Sequence, residues 1–96
     1  MTFEQLIYFT SIVENHTYFN AAHILNISQS SLSKQIIKLE KELDIELFDR
    51  KYRSATLTEA GKIFYYDALE LIKQYKVTLK HLENYKISKE NTLHIL

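Results

Sequence analysis

Ninety-six residues carrying 12 Lys+Arg against 12 Asp+Glu leave room for one compact domain and one extra element. At 46% hydrophobic and 25% charged the chain has ordinary globular composition. One Gly and no Pro argue against a fold of many strands and tight turns, and the lack of Cys excludes a disulfide framework or a thiolate metal site.

Thr2 and Gln5 form a capping-box pattern that opens a first helix running to about Glu14, with Leu6, Phe9, Ile12 and Val13 as its apolar stripe. Asn15 and His16 supply the break, Asn being tolerant of left-handed backbone. Thr17 then caps a second helix, Tyr18 to Leu25, in which Ala21 and Ala22 permit close helix approach. Asn26 suits the bend, and Ser28 caps a third helix from Gln29 to Leu43. Its Leu32, Ile36, Leu39 and Leu43 make one face apolar. After Leu43 the period changes: Glu46–Arg50 and Ala55–Leu57 alternate around polar residues 51–54, which predicts a two-stranded hairpin packed on the helices through Leu47, Phe48 and Leu57. Three helices and such a hairpin make a winged helix-turn-helix, so the fold class is mainly α.

From Thr58 to about Tyr85 the helical spacing is unbroken, with Phe64, Ala68, Leu71, Tyr75, Leu79 and Leu82 in one row and Tyr65, Leu69 and Ile72 beside it. That apolar surface is too wide for one neighbour, so Phe64, Ala68, Leu71, Ile72, Tyr75, Leu79 and Leu82 are the expected contacts of a homodimer. The tyrosines, which also suit stacking on single-stranded bases, are assigned to this packing. Residues 86–91 read as linker, and Thr92–Leu96 alternates like the start of a strand. The expected division is 1–58 for the winged domain, 59–85 for the pairing helix and 86–96 for a connection to a further domain.

The polar face of the third helix carries the chemistry. Gln29, Ser30, Ser31, Ser33, Lys34, Gln35 and Lys38 can donate to or accept from bases and phosphates. Gln29 and Gln35 offer amide pairs suited to adenine; Lys34 suits a base or a phosphate; Lys38 suits phosphate or only solvent. Thr17 and Tyr18 open the second helix, whose first N–H groups suit a phosphate, although Thr17 also serves as a plain cap. Arg53 at the hairpin tip suits backbone or minor groove. Arg50 has two readings, a DNA contact or a pair with an acidic neighbour such as Glu46. The zero net charge is unusual for a nucleic-acid binder, so any cationic field must be local, from Lys34, Lys38, Arg50, Lys51 and Arg53.

The four histidines are scattered without metal-ligand spacing, no serine has a plausible base or oxyanion donors, and no glycine-rich loop can hold a nucleotide. Neither catalytic nor metal residues are assigned, no cofactor is expected, and the chain does not read as an enzyme. No apolar run nears the roughly 18 residues of a membrane span and no signal-peptide pattern is present, so a cytoplasmic location is expected.

The ordered set Leu6, Phe9, Ala21-Ala22, Leu25, Ser28-Gln29, Ser33, Gln35-Ile36, Leu39-Glu40, Leu43, Leu47-Phe48, Arg50, Arg53 and Leu57-Thr58-Glu59-Ala60-Gly61 resembles the DNA-binding domain of LysR-type transcriptional regulators over about residues 3–82. The resemblance implies a winged helix, a linker helix pairing in a dimer on a pseudo-palindromic duplex operator, and a tetramer as an option for a full-length member. It also implies an effector-binding domain beyond this chain, which would take any small-molecule effector. Four positions depart from the family pattern: Ser30 replaces a Pro, His16 and Asp44 replace glycines, and Lys34 stands where Arg is frequent. Lys lacks the planar two-point contact that Arg makes to guanine. The competing class is a helical dimeriser whose winged fold binds another protein, which the acidic patch at residues 40–49 favours.

Overall fold

The computed structural model describes the backbone of residues 1–95 and the side chains of residues 1–90. The order is α1 (Phe3–Asn15), α2 (Tyr18–Leu25), α3 (Gln29–Leu43), β1 (Phe48–Asp49), β2 (Thr56–Leu57) and α4 (Glu59–Ile95). The strands form an antiparallel pair in which Phe48 faces Leu57 and Asp49 faces Thr56.

Local chemistry explains each helix start. At α1 the capping box is complete: Gln5 N–H donates to Thr2 Oγ1 and Thr2 N–H donates to Gln5 Oε1. Thr17 accepts from Asn20 N–H, and Ser28 from Ser31 N–H. The ends are equally local, with His16, Asn26 and Asp44 in left-handed backbone at φ 69°, 58° and 54°. The first break therefore falls on His16 rather than Asn15, whose amide donates instead to Ser11 O at 2.7 Å. His16 and Asp44 adopt the conformation for which glycine is the easiest occupant.

The core is built where α1 crosses the others. Phe9 is fully buried, with its ring 5.3 Å from Phe48 and 4.9 Å from Phe64. Leu32, Ile36 and Leu39 of α3, Ala21 and Ala22 of α2, Leu47 before β1 and Ala68 of α4 close around it. Half-buried Leu57 packs on the same cluster. The hairpin is anchored by Ala55 N–H donating to His16 O and Thr58 N–H donating to Leu47 O, both at 3.0 Å. Two strands would be marginal without such support.

Gly61 makes the docking of α4 possible. A Cβ placed there would lie 2.1 Å from Leu47 O and 2.9 Å from Leu57 Cδ2. Thr58 fixes the same turn, its hydroxyl donating to Glu46 O and accepting from Gly61 N–H.

α4 departs from expectation at its far end. It is helical through Ile95, so the linker expected at residues 86–91 and the strand start expected at Thr92 do not form; Leu96 lies outside the described residues. No Gly or Pro follows Gly61 to stop the helix. Once started, a helix gains one hydrogen bond per residue added, and β-branched residues cost it only a few tenths of a kcal/mol. At about 1.5 Å per residue the 37-residue helix is about 55 Å long, which dominates a molecule extending 65 Å.

Candidate nucleic-acid interface

Most of the polar face of α3 is open to solvent. Gln29, Ser30, Ser31, Lys34 and Lys38 are exposed, while Ser33 and Gln35 are half-buried at its two margins. The Ser28 hydroxyl, besides capping the helix, donates to Ser31 Oγ at 2.8 Å and lies 3.3 Å from Ser30 Oγ. Gln35 is less available than expected, because its Oε1 accepts a long bond of 3.4 Å from the buried Gln5 amide.

On the other margin α3 meets the wing. Gln29 and Ser33 line a cleft of about 200 Å³ with Tyr18 of α2 and Arg50, Tyr52 and Arg53 of the hairpin. The structure thus gathers residues from three separate sequence segments around one polar depression. Tyr52 joins this cleft without a local sequence signal, since nothing distinguishes a tyrosine at a hairpin tip.

Arg50 does pair with an acidic neighbour, though not the one nearest at hand in the hairpin. It pairs with Glu40 of α3, not with Glu46. Glu40 is only 8% exposed and also accepts Leu47 N–H at 2.7 Å and Phe48 N–H at 3.3 Å. A buried carboxylate needs such company to offset its desolvation. The available signal was position: Glu40 falls four residues after Ile36, on the flank of the apolar stripe.

Beside this pair the Tyr18 hydroxyl is buried without a hydrogen-bond partner. Burial pushes its pKa up to about 12; the adjacent Arg50 charge pulls the other way, though the two make no hydrogen bond of ordinary geometry. Thr17, one residue earlier, is half-buried and occupied as a cap.

The acidic residues at 40–49 are partly spoken for. Glu40 is turned inward, Glu42 pairs with the Met1 amine, and Asp49 accepts Lys51 N–H at 3.0 Å. The bond from the terminal amine, with Lys38 nearby, holds the Glu42 carboxyl below its usual range. Among the described residues Lys34, Lys38 and Arg53 form no ion pair.

The pairing residues assigned to α4 divide into two groups. Ala68 is fully buried, Ile72 is buried, and half-buried Phe64 stands edge-on to Phe9; all three face the chain's own winged domain. Leu71, Tyr75, Leu79 and Leu82 lie on the surface, 47% to 62% exposed. Tyr75 stacks on Phe3 at 4.0 Å, which marks where the winged domain ends along the helix. Beyond it the apolar stripe continues through Leu79 and Leu82, uncovered among the described residues.

No described helix is long and apolar enough to cross a membrane, and the described residues contain no group of three or more His, Asp or Glu arranged to hold a metal ion.

Residues 3–62 match the family described as bacterial regulatory helix-turn-helix protein, lysR family. The chain is 41% identical over 76 residues to the HTH-type transcriptional regulator YbhD of Escherichia coli strain K12, a match spanning 79% of this chain and 24% of that protein. It is 43% identical over 72 residues to the HTH-type transcriptional regulator BudR of Raoultella terrigena, spanning 75% and 25%. It thus spans about a quarter of the length of these curated relatives. Among solved structures it resembles the BenM DNA-binding domain in complex with benA site 1 DNA, with TM-score 0.86 and 34% identity over 88% of this chain and 99% of that one. The CbnR DNA-binding domain–DNA complex gives TM-score 0.84 and 30% identity over 88% and 98%. With the family profile covering residues 3–62 and the fold matching two DNA-binding domains almost end to end, the chain belongs to the LysR family and has the winged helix-turn-helix of its DNA-binding domain, followed by the linker helix.

Proposed function

We propose that this chain reads double-stranded DNA as the DNA-binding part of a cytoplasmic LysR-type regulator. Residues 1–58 form the reading domain, and α4 from Glu59 onward pairs two copies through Leu71, Tyr75, Leu79 and Leu82. α3 enters the major groove, with Gln29, Ser30, Ser33 and Lys34 toward base edges. Ser31, Lys38, the start of α2 at Thr17 and Tyr18, and Arg53 of the wing meet the sugar-phosphate backbone. Gln35 contributes its amide nitrogen, and Arg50 acts through its position beside Tyr18. The dimer fits a pseudo-palindromic operator with half-sites separated by whole helical turns. A small-molecule effector would act through a domain outside this chain.

The observation that carries this reading is the uncovered polar face of α3, flanked by the cleft that holds Arg53. The solved complexes of BenM and CbnR DNA-binding domains with DNA support it by likeness. Selection from a randomised duplex pool, followed by anisotropy titration across salt, tests it. Inverted half-sites should be enriched, affinity should fall steeply with salt, and Arg53→Ala should lower the log–log salt slope by about 1. Failure to bind any duplex at about 50 mM salt, where phosphate contacts are strongest, overturns the reading.

A further inference from the structure

α3, the wing and the start of α2 converge on one carboxylate. Glu40 belongs to α3, yet its oxygens are occupied by Leu47 N–H, Phe48 N–H and the Arg50 guanidinium. Leu47 precedes β1, Phe48 opens it, and Arg50 follows it directly. Arg50 in turn lies against Tyr18, the first residue of α2. The hairpin itself is short, with two residues in each strand, so its own ladder fixes little. Arg53, three residues past Arg50 along the turn, is exposed and makes no ion pair among the described residues.

We propose that Glu40 is a positioning residue for DNA recognition, setting the distance between the α3 reading face and the wing cation Arg53. It touches no DNA itself. Its carboxylate grips the root of the wing from the helix that reads the groove, so that both elements meet the duplex as one rigid unit. The inference rests on the DNA-binding reading for its functional consequence, but its structural half does not.

Glu40→Gln retains an acceptor for the backbone N–H groups and removes the charge that holds Arg50. Binding of a selected duplex is compared for wild type, Glu40→Gln, Arg53→Ala, Lys34→Ala and the two doubles with Glu40→Gln, at matched salt and with folding verified by urea titration. In the wild-type background Arg53→Ala should weaken binding about tenfold, the size of one charge-assisted hydrogen bond. In the Glu40→Gln background the same change should cost less than about twofold, because a wing free to drift no longer delivers Arg53 to the backbone. Lys34→Ala should cost the same in both backgrounds. Additivity at Arg53 overturns the proposal, as does equal coupling at Arg53 and Lys34, which would mark general loosening. Amide hydrogen exchange on the free protein gives the second arm. In Glu40→Gln, Leu47, Phe48 and Leu57 should exchange at least about tenfold faster while Phe9 and Ile12 are unchanged. A wild type that binds no DNA would sink the functional reading, and the exchange result would still decide whether Glu40 holds the wing.

Discussion

Gly61→Ala sets two magnitudes against each other, and the structure says which wins. Gly61 lies in the first turn of α4, and helix propensity alone predicts a gain of at most about 1 kcal/mol from the change. The added carbon, however, would stand 2.1 Å from Leu47 O, a backbone atom that no rotamer change can remove. It must retreat by about 1.3 Å to reach ordinary contact. Such overpacking costs about 1–3 kcal/mol. Moving α4 away also stretches the bond from Thr58 N–H to Leu47 O at 3.0 Å and that from the Thr58 hydroxyl to Glu46 O at 2.7 Å, each worth about 1 kcal/mol net. The balance is a loss of about 2 kcal/mol, or a fall in Tm of about 8–16 °C for a domain of this size. Urea titration at one fixed protein concentration reads it, because association would otherwise shift the midpoint. The midpoint should drop with the slope unchanged. A variant as stable as wild type, or more so, would refute the argument that Gly61 is a packing requirement.

Two other changes test separate parts of the structure. Tyr18 has its pKa raised to about 12, above the ordinary value of about 10, so the fold favours the neutral hydroxyl. That contribution is whole below about pH 10 and disappears as pH climbs through about 12. Tyr18→Phe should therefore flatten the decline of the urea midpoint between pH 10 and 12, and an unchanged slope would remove Tyr18 as its source. Replacing Leu71 and Leu79 by Glu puts charge on the uncovered stripe of α4 without touching Phe9 or its neighbours. Sedimentation should show monomers with native helix content; persistent dimers would place the pairing surface elsewhere.

The parts of this fold that could be read from sequence are those decided within a few residues. The caps at Thr2, Thr17 and Ser28 each bond a backbone N–H three residues on, so residue identity and spacing suffice. The left-handed positions are nearly as local, although His16 rather than Asn15 takes the first. Long-range choices were harder. Arg50 has Glu46 at a plausible distance along the chain, but the turn at Asp44 and the burial of Leu47 bring Glu40 to it instead. On α4, periodicity identifies an apolar stripe but not what covers it. Ala68 and Leu71 belong to the same sequence pattern, and only the course of α1 buries one and leaves the other bare. The five residues Thr92–Leu96 are too few to define a period, and over Thr92–Ile95 the continuing helix prevails.

The docking of α4 against Leu47 through a bare glycine has a geometric consequence for a two-copy assembly. Leu79 lies 18 residues beyond Gly61, about 27 Å along the helix axis. A tilt of about 7° at that joint would swing Leu79 by about 3 Å, close to the 3.4 Å rise of one base pair. In the proposed dimer more than this joint would resist such a tilt, because buried Ala68 and Ile72 and the Tyr75–Phe3 stack also hold α4, so the whole seam up to Tyr75 would set how strictly operator spacing is measured.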